Sequence, residues 1–159
     1  MGMTGNYVAV DNNTLQQIKN NELDLLDIDS DEYPTLDIDK SWQAIHFLLC
    51  NEIAEGKLPF GYVVPMRNEN VLDTEMDFGA FVLNSEEVLK AYECIKNINE
   101  EELRAKYDFK SFVENGIYPI TDDEDMDDFF EYICENFKSI QEFYKEASES
   151  GKGIVFYIM

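Results

Sequence analysis

Basic residues are scarce in this chain: 12 Lys and Arg stand against 34 Asp and Glu, a formal charge of -22 over 159 residues. A surface so negative repels phosphate, which argues against a nucleic-acid binder and against a binder of anionic membranes. Only two of the cations are arginines, Arg67 and Arg104, so bidentate grips on phosphate are poorly provided for. The three cysteines, Cys50, Cys94 and Cys134, lie far apart with no CxxC pair, and read as reduced, mostly buried thiols of a cytoplasmic protein. Apolar runs long enough to span a bilayer are missing. The opening MGMTGNYVAVDNN lacks the basic start and apolar stretch of a secretory signal. Gly-rich phosphate loops, the G-x-S-x-G elbow and the H-E-x-x-H metal motif are absent as well. The sequence therefore points away from an enzyme and implies no cofactor.

What is present suffices for a core. Apolar residues make up 45% of the chain and aromatics 13%, as in an ordinary globular domain. The pattern predicts strands over residues 5–10, 59–64 and 78–83, and a last strand in GIVFYIM, residues 153–159. The last is apolar nearly throughout, as in a sheet interior. Asn12 or Asn13 can cap a helix beginning near Thr14. Residues 20–39 carry eight acids, no base and Pro34, and read as a loop or broken helix. Trp42, Ile45, Leu49 and Ile53 share one side of a helix predicted over residues 40–55. Asn84 with Glu87, and Asn99 with Glu102, are capping patterns for two further helices. Residues 110–115 add a turn stopped at Gly116. Thr121 and Glu124 form a similar box before the longest pattern, in which Met126, Phe129, Phe130, Ile133, Phe137, Ile140, Tyr144 and Ala147 recur at helical spacing. That helix is predicted over residues 122–149. The fold class is α+β: a single domain over residues 1–159, a small mixed sheet covered by several helices, and a long amphipathic helix and buried strand at the C-terminus.

Candidate chemistry is sparse. His46 is the only histidine, one turn after Trp42 and one turn before Cys50. It can act as a general acid or base in a cleft, or sit bonded in the core. Cys50 and His46 have the separation of a catalytic pair but no surrounding signature. They supply two zinc ligands, and nothing nearby supplies the others. Asp27, Asp29 and Asp31 begin like a calcium loop, but Glu32 stands where Gly is required and Ile38 where a bidentate Glu is required. No metal site is assigned. The acids of residues 122–128 are explained by the helix start they precede.

The segment LDIDKSWQAIHFLL, residues 36–49, resembles the YfbM-like family of uncharacterised bacterial proteins (domain of unknown function 1877). The opening MGMTGNY, the stretch EELRAKY, GIYP at residues 116–119 and the final helix and strand follow in the same order. The resemblance implies one α+β domain in the bacterial cytoplasm and no activity. It directs attention to Asp39, Lys40, Trp42, His46 and Tyr118. In physical terms Asp39 can cap the helix and Lys40 can fold back onto Asp37 or a nearby acid. Trp42 and His46 then make either the floor of a small pocket or a structural knot, and the knot is preferred. The expected function is that of an acidic, non-enzymatic binding protein, inhibitor- or immunity-like toward a basic partner. The alternative is a small-molecule or enzymatic pocket around Trp42 and His46.

Overall fold

The computed structural model describes residues 2–159. Four strands form one sheet: β1 (Gly5–Val10), β2 (Thr35–Asp37), β3 (Ala80–Leu83) and β4 (Gly153–Ile158), in the order β2-β1-β4-β3. Every neighbouring pair is antiparallel, with Gly5 opposite Ile158 and Val10 opposite Gly153 in the central pair. The sheet is thus not mixed, as the sequence pattern had suggested. The apolar continuity of β4 reports burial on both faces, and strand direction does not enter into it.

Side chains alternate across the sheet. Tyr7 and Ala9 of β1, with Ile154, Phe156 and Ile158 of β4, join the larger core. Val8, Val10, Val82 and Val155 join a smaller core on the other face. The larger core is roofed by α2 (Trp42–Cys50), α3 (Ser85–Ile95) and α6 (Met126–Glu149), with α4 (Glu100–Lys106) and α5 (Phe109–Glu114) at its side. The smaller is closed by α1 (Asn12–Lys19) through Leu15 and Ile18, and by Leu25 and Leu72. Together they make a single α+β domain.

Local chemistry sets the ends of these elements. The Asn84 and Glu87 box is complete, each side chain meeting the other residue's backbone N–H at 2.8 and 3.0 Å. Asn99 caps α4 through the Glu102 amide. The long helix starts later than the Thr121 box predicts. Asp125 accepts from the amides of Asp127 and Asp128 at 3.0 Å, while the Thr121 hydroxyl turns to Asp123. In so acidic a run several residues can cap, and the burial of Phe129 and Phe130 selects among them. Likewise Asp11, not Asn12 or Asn13, caps α1.

Three other expectations are revised. Helix α2 stops at Cys50, because Asn51 adopts a left-handed conformation (φ 57°) and ends it, leaving Ile53 exposed. Residues 59–64 are a 3₁₀ turn (Phe60–Tyr62), not a strand. Their β-branched residues serve burial: the Val63 carbonyl accepts from the Tyr7 hydroxyl at 2.6 Å and the Tyr144 hydroxyl at 2.9 Å. Gly61 runs against the backbone of residues 55–56, where a β-carbon would lie 2.7 Å from the Gly56 oxygen. Finally, β2 lies inside the stretch read as loop.

Candidate functional site

The segment before α2 is ordered by its own side chains. The Asp37 carboxylate accepts from the Asp39 amide at 2.7 Å, which suits the left-handed backbone of Asp39 (φ 52°). Asp39 does not cap α2, which has no side-chain cap at its start. Its carboxylate instead accepts from the Tyr132 hydroxyl of α6 at 2.7 Å, and that hydroxyl accepts from the Lys40 amide at 3.0 Å. Burial and then the Asp39 contact hold the Tyr132 phenol protonated, raising its pKa. Lys40 does not fold back onto Asp37. Its aliphatic chain lies over Gly2, leaving no room for a β-carbon there, and among the described residues it forms no ion pair.

Trp42 and Tyr118 grip the start of the chain between them. The indole Nε1 donates to the Met3 carbonyl at 2.9 Å, and the Met3 amide donates to the Tyr118 hydroxyl at 2.9 Å. Their rings lie 5.8 Å apart. Gln43 fixes Tyr118 in turn, accepting from its amide at 2.6 Å. A β-carbon on Gly5 would come within 2.9 Å of Trp42 Cβ, so glycine lets β1 pass close to the indole. Both backbone polar groups of Met3 are therefore satisfied by side chains some 40 and 115 residues away in sequence.

His46 points elsewhere, toward the turn that follows α2. It is fully buried, and neither ring nitrogen has a hydrogen-bond partner among the described residues. Burial lowers its pKa below the usual 6.5; the backbone of Ala54 and Val64, and Glu52 and Glu55, oppose this without reaching bonding geometry. The ring is held neutral at a cost, since a buried polar group without a partner destabilises the fold by about 1–3 kcal/mol. Replacing His46 with Leu is therefore expected to keep the fold and raise unfolding stability by about 1 kcal/mol. The pH dependence should change as well. Because the folded pKa lies below 6.5, the unfolded chain takes up the proton first. Wild-type stability from this residue is present above pH 6.5 and is lost as pH falls toward the folded value. Urea titrations of both proteins between pH 7 and pH 5 check this: the variant should lack that part of the slope, and a variant several kcal/mol less stable would show the ring to be bonded.

Cys50 does not activate the imidazole or gain from it. Burial pushes its thiol up to about 11, as it does those of Cys94 and Cys134, so all three stay protonated at neutral pH. Cavities of 610, 730, 250, 420 and 450 Å³ open on the surface, and these five are lined by residues other than Asp39, Lys40, Trp42, His46 and Tyr118. Four of the five sequence candidates meet at the entrance to α2, and His46 lies apart from them.

The 730 Å³ cavity is of a different kind. It is an open groove between the end of α1, the 3₁₀ turn Leu25–Asp27 and residues 72–76. Ile18, Leu25 and Leu72 form its apolar floor, and Leu26 stands 61% exposed beside it. Asp24, Asp73 and Glu75 line the groove, and Glu22, Asp27, Asp29, Asp31, Glu32 and Asp77 are close along the chain, all exposed. The Asp24 and Asp29 carboxylates accept from the amides of Leu26 and Asp31 at 2.9 Å, which folds the loop into tight turns with the acids outward. Among the described residues none of these nine acids is in an ion pair. No three of the described acids, cysteines or histidine are placed to hold a metal ion.

Residues 1–157 match the model of a family described as a domain of unknown function, DUF1877. The chain belongs to the DUF1877 family. Its structure is similar to the crystal structure of YfbM from Escherichia coli, described as a protein of unknown function, with a TM-score of 0.78 and 21% identity. The match covers 98% of this chain and 99% of that one, and shows a shared fold. Among curated proteins none matches the sequence. In this DUF1877 chain three of the segments that carry the family resemblance are brought together by Met3: MGMTGNY supplies it, DKSWQAIHF supplies Trp42, and GIYP supplies Tyr118. Met3, Gln43 and Tyr132 were not legible as members of this cluster. Tyr132 sits at the margin of the α6 stripe, and a backbone acceptor leaves no mark in a sequence.

Proposed function

We propose that this DUF1877 chain is a non-enzymatic cytoplasmic interaction protein that binds a basic protein, as an inhibitor or immunity-type protein holds a cationic partner. The observation that supports this reading is unneutralised charge. Of the 34 acids all but Glu55 and Glu87 are exposed, and five ion pairs connect the described side chains. A field of that sign attracts and orients a cationic surface and turns nucleic acid away. Among the described residues no helix is long and apolar enough to cross a membrane.

The test is a titration with oligolysine of about 20 residues, followed by fluorescence anisotropy at about 0.05 M and about 0.3 M salt. Binding at the lower salt, weakened roughly tenfold or more at the higher, is the expected outcome. No binding at the lower salt removes the proposal.

The second reading, a small-molecule or enzymatic pocket around Trp42 and His46, draws on the unbonded imidazole alone. It requires residues 51–57 to open, since the ring is fully buried. Diethyl pyrocarbonate tests it. Carbethoxylation of His46 in the folded protein as fast as in the unfolded chain supports the pocket; reaction only on unfolding removes it.

A further inference from the structure

We infer that the basic partner docks in the groove beside the Leu25–Asp27 turn, as a short amphipathic segment with a large apolar side chain over Leu26 and lysines or arginines against Asp24, Asp73 and Glu75. This rests on the reading that the chain binds a basic protein, and it adds where and by what chemistry.

Charge complementarity selects this surface from the alternatives. The 610 Å³ groove between residues 58–62 and α3 is also apolar, but Lys90 stands on its wall. The 450 Å³ cavity near exposed Met126 contains Arg104 and Lys110. The 420 Å³ cavity at the end of α2 contains Lys106, and the small one near Phe143 contains Lys152. Each of these places a cation where a basic partner would bring its own. The groove beside Leu26 contains no cation.

The outer side of α6 is also acidic, with Glu135, Glu142 and Glu146 exposed. Its apolar stripe is spent on the core. It therefore offers charge without a socket. Diffuse attraction of that kind speeds encounter, whereas a specific complex also needs an apolar anchor excluded from water. The groove has both: its volume of 730 Å³ lies within the range of ligand clefts, and its floor is built of Ile18, Leu25 and Leu72. Leu26 occupies a turn whose backbone is held by Asp24, so its side chain is presented on a fixed support. The segment 72–76 is anchored at its start by the Leu72 amide, which donates to the Ala80 carbonyl at 2.8 Å. The walls are thus set before a partner arrives, which limits the ordering cost of binding.

The experiment compares two peptides of equal length, oligolysine and a peptide alternating Lys with Leu, against four forms of the full chain. These are wild type, a groove variant (Asp24→Asn, Asp73→Asn, Glu75→Gln), a helix variant (Glu135→Gln, Glu142→Gln, Glu146→Gln) and Leu26→Ser. The two triple variants remove the same charge, and Asn retains the capping function of Asp24. Thermal melts confirm that each variant is folded before binding is measured. The Lys/Leu peptide should bind wild type about tenfold tighter than oligolysine. The groove variant should lose about tenfold for the Lys/Leu peptide and the helix variant less than about twofold. Leu26→Ser should weaken the Lys/Leu peptide and leave oligolysine unchanged. Equal losses in the two triple variants, or a Lys/Leu peptide no tighter than oligolysine and indifferent to Leu26→Ser, overturn the groove and leave the basic-partner reading standing. Failure of both peptides to bind wild type at low salt overturns both.

Discussion

Trp42→Ala should cost about 3–5 kcal/mol of folding stability, the range for removing a large buried aromatic. The indole is nearly fully buried among Ile38, Tyr118 and the backbone of β1, and its removal leaves the Met3 carbonyl without its donor. Two losses are thus combined, and Trp42→Phe separates them. Phenylalanine keeps most of the apolar contact and loses only the bond to Met3, so its cost should be about 1 kcal/mol. Urea unfolding of the three proteins gives both numbers. A Trp42→Ala variant as stable as wild type, with its fold intact, would show that the indole is not part of the framework and free it for a binding role.

Phe137→Ala is the second large effect, again about 3–5 kcal/mol. Phe137 lies midway along α6, 1% exposed, in the stripe that seals the larger core against the sheet. Met126→Ala on the same helical pattern should change stability by no more than about 0.5 kcal/mol. Met126 is the first residue of α6 and is 56% exposed. The sequence places both residues in one periodic series, and only the structure separates them. Equal costs in a denaturant titration would mean that the start of α6 is packed against something in solution.

That contrast marks how far the sequence reads. The stripe on α6, the Asn84 and Asn99 caps and the central position of β4 were all legible, because each rests on spacing or on a hydrogen bond between near neighbours. The strand expected over residues 59–64 failed because Val63 and Val64 are β-formers that the fold buries in a turn, where the Val63 carbonyl accepts from Tyr7 and Tyr144 and the Tyr62 carbonyl from Tyr144. Strand β2 was hidden because three residues following Pro34 in an acidic run carry no pattern; their pairing comes from β1, far away in the chain. Of the candidate residues Asp39, Lys40, Trp42, His46 and Tyr118, all but His46 lie at the entrance to α2, and the residue that joins Trp42 to Tyr118, Met3, acts through its backbone and leaves no mark in the sequence. His46 shares a helix with Trp42, yet its ring is enclosed by the turn after α2, whose path depends on the left-handed Asn51. The groove beside Leu26 was seen only as an acidic loop, since its other wall comes from residues 72–76, some fifty positions later.

The residues most characteristic of the resemblance therefore close the fold around its first strand, while unpaired charge and an open apolar floor lie on the other face of the sheet. This division is tested most directly by one titration of isotopically labelled wild-type protein with the Lys/Leu peptide, read in a two-dimensional amide spectrum. The chain has a single tryptophan, so its indole N–H gives one unambiguous signal. The amides of residues 24–26 and 72–76 should shift as peptide is added while the Trp42 indole and the Met3 amide stay in place. Movement of the indole signal at the lowest peptide concentrations, with the amides around Leu26 unmoved, would contradict it.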